Sequence, residues 1–221
     1  MDNNLQFAFR KIYQENLWGG NESRSGPGSS MAYTEDLRRD LPVFLKMLDC
    51  KTLLDAPCGD FNWMRSVELD GINYIGADIV PEIIEQNRKN HASDNRRFEV
   101  LDVITDPLPE ADVWLCRDLM LHLPLLAIMQ LLRQFLNSNI KYFFTSHYQW
   151  SGDNSELYSI VLGSCINLTK RPFLLPEPLY TIKDYVEPGS HRSIGVWLRE
   201  QILGEFKRQE KTLRMMLGTK E

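Results

Sequence analysis

A glycine and two acids are spaced along this chain as a bound nucleoside would require. Leu53 and Leu54 lead to Asp55, Pro57 and Gly59 force a tight turn after Ala56, and Asp78 closes the next short apolar run nineteen residues beyond Gly59. Lacking a Cβ, glycine lets backbone come close to a ligand. An acid at that distance is where α/β nucleoside-binding units place the acceptor for ribose hydroxyls. The turn does not read as a phosphate cradle. It lacks G-x-G-x-x-G, Pro57 has no N–H, and Asp55 and Asp60 would repel phosphate. An acid at the strand end suits a nucleoside that carries a cationic amino group.

Proton-transfer groups lie further along. His147 follows the apolar run Tyr142–Ser146, and His122 stands four residues after Asp118, a spacing that one helical turn makes into an oriented acid–imidazole pair. Either histidine, with Asp118 as a third candidate, could accept the proton of a hydroxyl, a contribution of about 10²–10⁴-fold. A histidine inside the apolar stretch Leu119–Leu123 equally suits a satisfied core position, so the choice stays open. Arg24, Arg117 and Arg171 are cations that could grip an anionic group through bidentate contacts. Tyr148 and Trp150, together with Trp63, offer aromatic surface for a sugar or ring.

These residues need a sheet whose strand ends converge. Short apolar or aromatic runs predict strands at 51–56, 73–78, 96–101, 112–116 and 140–146, with two more near 179–185 and 193–199. Helices are predicted at 60–66, 81–90 and 124–137, with Pro81 and Pro124 at first-turn positions. Thr34 is the expected N-cap of a helix over 35–48, and residues 1–17 have roughly helical apolar spacing. Alternation of strand and helix predicts a mixed, mostly parallel seven-stranded sheet, with 51–56 central. The expected organisation is one domain over 1–221: cap helices and loop at 1–48, an α/β core at 49–200, and a charged, helix-prone tail at 201–221.

The stretch Asp55-Ala56-Pro57-Cys58-Gly59-Asp60 resembles the nucleoside loop of class I S-adenosylmethionine-dependent methyltransferases. Trp18-Gly19, Glu22-Ser23-Arg24-Ser25-Gly26-Pro27-Gly28-Ser29, Cys116-Arg117-Asp118, His122-Leu123 and Pro172-Phe173 extend the likeness to a small bacterial subgroup, over nearly the whole chain to about Trp197. The resemblance implies a Rossmann-like sheet and S-adenosyl-L-methionine as cofactor. Asp55 would then lie near its ammonium, and Asp78, followed by Ile79, near its ribose. Asp102 would accept from the adenine amino group with Val103 along the ring, although Asp102 could instead cap the next turn. Pro57, Gly59 and Arg117 complete that expected site. The loop from Trp18 to Ser30, with Ser25 and Gly26, is expected to close over the methionine end. The implied activity is methyl transfer. The resemblance names no acceptor; the strand-end histidines and Arg117 point to a small polar metabolite, foremost to an oxygen of a sugar or anionic group. An N-methyltransferase, a non-catalytic cofactor-binding scaffold and an aminopropyl transferase remain alternatives.

Composition bounds the partners. A net charge of −5 over 221 residues gives no broad basic face for sequence-independent nucleic-acid binding. No apolar stretch approaches a membrane span, and the polar start Met1-Asp2-Asn3-Asn4 has no signal-peptide pattern. Cys50, Cys58, Cys116 and Cys165 have no C-x-x-C spacing and read as reduced thiols, with no metal site expected. A cytoplasmic monomer or homodimer with a small-molecule acceptor is the expectation.

Overall fold

The structure, a computed structural model, describes residues 2–150, 152–186 and 192–217. Seven strands lie in one sheet: β1 Thr52–Asp55, β2 Asn73–Asp78, β3 Arg96–Val100, β4 Val113–Cys116, β5 Tyr142–Tyr148, β6 Tyr180–Lys183 and β7 Arg192–Leu198. Their order is β3-β2-β1-β4-β5-β7-β6. The first five strands pair in parallel. β7 runs antiparallel to both β5 and β6, so six strands share one direction. The expected mixed sheet is present, with each strand within two residues of its predicted position.

β1 is buried on both faces, and its alternation assigns Leu54 to one core and Leu53 to the other. The first core holds Ile75, Trp114, Phe143 and Trp197 with helices α1 (Asp2–Glu15), α4 (Leu125–Asn137) and α5 (Arg199–Leu217). The second holds Tyr74, Val113, Leu115 and Phe144 against Leu37, Leu41 and Leu45 of α2 (Glu35–Met47). Between β2 and β3 runs α3 (Pro81–His91), which sends Ile83 to one core and Ile84 to the other. The charged tail docks through Ile202, fully buried, and Phe206. Its last four residues, 218–221, lie outside the described residues.

Two local expectations differ. The helix predicted over 60–66 is instead an irregular turn with a single 3-10 turn at Met64–Ser66. Phe61 has φ 58°, a left-handed conformation that no helix continues through. The Asp60 carboxylate is committed to backbone and hydroxyl groups of the distant loop at 23–25. Thr34 does precede α2, but it makes no side-chain cap; its hydroxyl donates to Ser30 O at 2.8 Å.

Candidate active site

Parallel strands deliver their carboxyl ends to one edge, and the crossover between β1 and β4 opens a crevice there. A cleft of about 250 Å³ occupies this position. Of the predicted cofactor residues, Trp18, Ser25, Gly26, Asp55, Pro57, Gly59, Asp78, Ile79 and Arg117 all line it. So do Asp118, His122, Arg24 and Tyr148 from the other predicted sets.

The floor is built by β1 and β2. The Gly59 N–H donates to Asp78 Oδ2 at 3.1 Å, and the Val80 N–H donates to Oδ1 at 3.0 Å. A carboxylate has about four acceptor positions, so capacity remains for a ligand. Burial pushes the Asp78 carboxyl up to about 6 despite these backbone donors. Asp55, 2 % exposed, accepts from the Tyr74 hydroxyl at 2.6 Å. Burial raises it further, to about 7. A buried acid held this far above its ordinary range gains most from a cation placed beside it.

The roof is the loop between α1 and α2, and Asp60 fastens it. Both Asp60 carboxylate oxygens accept from Ser23 Oγ at 2.9 Å, and Oδ2 accepts from the Arg24 N–H at 2.8 Å. The Asp60 N–H donates to Ser25 Oγ at 3.1 Å. Gly59 has φ 53°, and a Cβ there would lie 2.3 Å from Ser25 Oγ. Glycine is therefore required both for the turn and for the roof's approach. At the far side Trp18 Nε1 donates to Val161 O at 3.1 Å, joining the roof to the irregular segment after β5.

His122 sits beneath Trp18, ring centroids 5.0 Å apart. Its Nδ1 lies 2.6 Å from Ile160 O. A carbonyl only accepts, so Nδ1 carries the proton and Nε2 keeps the lone pair. Burial lowers its pKa, outweighing the nearby Asp118 carboxylate, and the ring is neutral at pH 7.

His147 lies elsewhere. It is 1 % exposed, accepts from the Leu168 N–H at 3.4 Å, packs edge-on against Trp197, and is not among the cleft residues. β5 extends to Tyr148, so residues 147 and 148 point to opposite faces, and Tyr148 takes the cleft side. Burial pushes His147 down to about 4. Trp150 and Arg171 also lie outside the cleft lining; the Trp150 and Arg171 carbonyls anchor Asn167 and Asn154. Asp102 and Val103 line a neighbouring recess of about 30 Å³, shared with Leu5 and Phe9 of α1. That is room for about two waters, so a ring reaches Asp102 only if those side chains shift. Asp102 Oδ1 accepts from the Ile104 N–H at 2.9 Å, capping the turn that follows β3.

Two residues without any sequence signal complete the site. Asp184, just after β6, and Arg192, opening β7, form a buried quartet with Arg117 and Asp118. Arg117 pairs bidentately with Asp184 at 2.9 and 3.0 Å and donates to Gly28 O at 2.7 Å. Arg192 Nη1 contacts Asp118 Oδ1 at 2.5 Å and its Nε donates to Asp184 O at 3.0 Å. Two positive and two negative charges leave the quartet neutral. Burial raises Asp184, whereas Arg192 and Arg117 overcome burial at Asp118 and hold its carboxyl below the usual range. Arg24 is turned away to the carbonyls of Tyr13 and Gln14 at the end of α1.

The fold has counterparts among solved structures. The fold is that of known methyltransferases. Human N-acetylserotonin methyltransferase, solved with SAM, superposes with TM-score 0.61 at 16% identity over 87% of this chain and 58% of its own. The chain thus spans little more than half of that enzyme. Magnesium protoporphyrin IX methyltransferase from Synechocystis PCC 6803, with bound SAH, gives 0.61 at 12% identity over 90% of this chain and 100% of its own. N-methyltransferase NodS from Bradyrhizobium japonicum WM9 gives 0.57 at 7% over 76% and 96%. No protein-family model and no curated protein matches the chain. Among the described residues no helix is long and apolar enough to cross a membrane, and no cluster of His, Cys, Asp or Glu could hold a metal ion.

Proposed function

We propose that the chain is an S-adenosylmethionine-dependent methyltransferase acting on a small polar metabolite, with a hydroxyl oxygen of a sugar or anionic molecule as acceptor. The observation that carries this is the floor of the cleft, where Asp55 and the Gly59–Asp78 pair face one cavity. Asp78 has acceptor capacity for ribose hydroxyls, and Asp55 suits the methionine ammonium. The three structural neighbours support the cofactor, since two were solved with SAM or SAH. Their names include an N-methyltransferase, so the fold does not choose the acceptor atom.

When bound, S-adenosylmethionine supplies a methyl group already attached to a good leaving group. The chain's own contribution is then position and proton removal. The roof loop, fastened by Asp60 and Trp18, excludes water from the cleft and fixes the approach of the acceptor, a class of effect worth roughly 7–11 kcal/mol when alignment is good. His122, neutral with Nε2 unprotonated, receives the acceptor's proton. Among the predicted bases it is the histidine that lines the cleft.

The test is calorimetry with S-adenosylhomocysteine, followed by mass spectrometry of a metabolite extract incubated with isotope-labelled S-adenosylmethionine. Micromolar binding with a labelled product supports the reading. Binding without any labelled product would favour the scaffold alternative, and no binding would refute both.

A further inference from the structure

One side of the Arg117–Asp118–Asp184–Arg192 quartet faces the cleft. Asp118, at φ 56°, is turned there by Ser146, whose hydroxyl accepts from the Asp118 N–H at 2.9 Å and lies 3.0 Å from Oδ1. Oδ1 is thus engaged by Ser146 and Arg192, whereas among the described residues Oδ2 has only Arg117 Nη1 at 3.3 Å. The Asp118 side chain keeps 23% of its exposure, against 0–6% for the other three. Arg192 Nη2, buried, lies 2.9 Å from Asp184 Oδ2 but makes no aligned hydrogen bond. Trp63 covers the Arg117 guanidinium and Tyr33 the Arg192 guanidinium, at 5.4 and 5.1 Å.

Directly over Asp118 and Arg192 stands Gly28 of the roof. A Cβ there would sit 3.4 Å from Asp118 Oδ2 and 3.9 Å from Arg192 Nη2. These are ordinary contact distances, so alanine would fit, but it would fill the space in front of the pair. Gly28 lies in the 3-10 turn Pro27–Ser29 and is not among the positive-φ glycines, so its conformation admits a side chain.

We propose that Asp118 and Arg192 beneath Gly28 form the acceptor seat, and that it selects an uncharged hydroxyl-bearing molecule, such as a neutral sugar or polyol, over carboxylates and phosphates. The inference rests on the methyltransferase reading for the name acceptor, but the seat's preference is readable without turnover. The group it presents is Asp118 Oδ2, an ionised oxygen that can only accept. A carboxylate only accepts and a phosphate carries net negative charge, so each meets repulsion at Oδ2. It finds no uncompensated cation, because both arginines are already matched by Asp118 and Asp184. A hydroxyl donates to Oδ2 without bringing a charge, and Tyr148 lines the same cleft. The quartet's arginines therefore do not make this an anion site.

Saturation-transfer NMR on the S-adenosylhomocysteine-loaded protein tests the seat, repeated on the protein alone. The probes are methyl α-glucopyranoside, myo-inositol, glucuronate, glucose 6-phosphate and inorganic phosphate. The expected result is transfer to at least one neutral probe, none to the anions, and a loss of about tenfold or more in Gly28→Ala. Gly28→Ala should keep the wild-type melting temperature and S-adenosylhomocysteine isotherm. Anions binding as well as the neutral probes, silence from both neutral probes, or undiminished transfer in Gly28→Ala would each overturn the seat. A missing S-adenosylhomocysteine isotherm in the wild type would instead refute the cofactor reading.

Discussion

Asp55 makes cofactor affinity depend on pH in a way that can be worked out beforehand. Without a ligand its carboxyl is held at about 7 by burial, against an ordinary value of 3.8. If the methionine ammonium pairs with it, binding requires the ionised form. The ionised fraction is about 0.09 at pH 6 and about 0.76 at pH 7.5, so affinity should strengthen roughly eightfold between them, and close to tenfold per unit below pH 6. At pH 7.5 the ligand's α-amino group, ordinarily at about 7.7–8.0, has itself lost roughly a quarter to two fifths of its charge, which trims the gain to about five- to sixfold. Asp78, raised to about 6, shifts affinity in the same direction at the lower end. Isothermal titration with S-adenosylmethionine from pH 5.5 to 7.5, in two buffers of different ionisation enthalpy, should show proton release approaching one per site near pH 6. Asp55→Asn should weaken binding at pH 7.5 and flatten most of the slope. The unliganded protein shows the opposite sign. Its folded pKa exceeds the unfolded one, so ionised Asp55 costs stability as pH rises from about 4 to 7, by about 4 kcal/mol in all. Asp55→Asn should therefore raise the melting temperature at pH 8 and leave it nearly unchanged at pH 4. A pH-independent affinity in the wild type would refute both the ammonium assignment and the buried carboxyl behind it.

Gly59→Ala forces a Cβ to 2.3 Å from Ser25 Oγ at φ 53°; the left-handed backbone alone costs about 1–2 kcal/mol, so a lower melting temperature and weaker S-adenosylhomocysteine binding should appear together. Asp60→Ala removes the acceptors for Ser23 Oγ and the Arg24 N–H, and faster tryptic cleavage after Arg24 should follow with the sheet's circular dichroism intact. His122→Gln should lower kcat by about 10²–10⁴-fold at normal cofactor affinity, whereas His147→Gln should mainly lower the melting temperature. Wild-type kcat should rise through a pKa below 6.5, since burial depresses His122; a limb above 6.5 would point to another base.

The strands and the floor of the cleft were legible because their signals are local. An apolar run ending in Asp55, the glycine turn and the next run ending in Asp78 lie within one βα unit, and the sheet could place them only at one edge. His147 illustrates how a two-residue error at a strand end changes a functional assignment. Ending β5 at 146 leaves residue 147 free to face the ligand; continuing it to 148 fixes 147 on the opposite face, under Trp197. The turn after Gly59 was misread as helix since nothing near Phe61 announces the partners of Asp60, which lie 35 to 37 residues earlier. Asp184 and Arg192 were invisible for the same reason, being 67 and 74 residues from the partners that give them a role. Phe9, Ile12 and Tyr13 also tie α1 into the main core, so the N-terminal segment is structural as well as a cover.

The neutral quartet also constrains how this site could change over generations. Removing one member strands a buried charge, a loss of about 3–5 kcal/mol, whereas replacing the whole set by apolar groups of similar volume can be neutral or better. Charge at positions 117, 118, 184 and 192 should therefore vary as a block across descendants, with single-site intermediates purged as unfolded protein. A switch of acceptor would then arise more readily from the roof, at Gly28, than from the charged wall behind it.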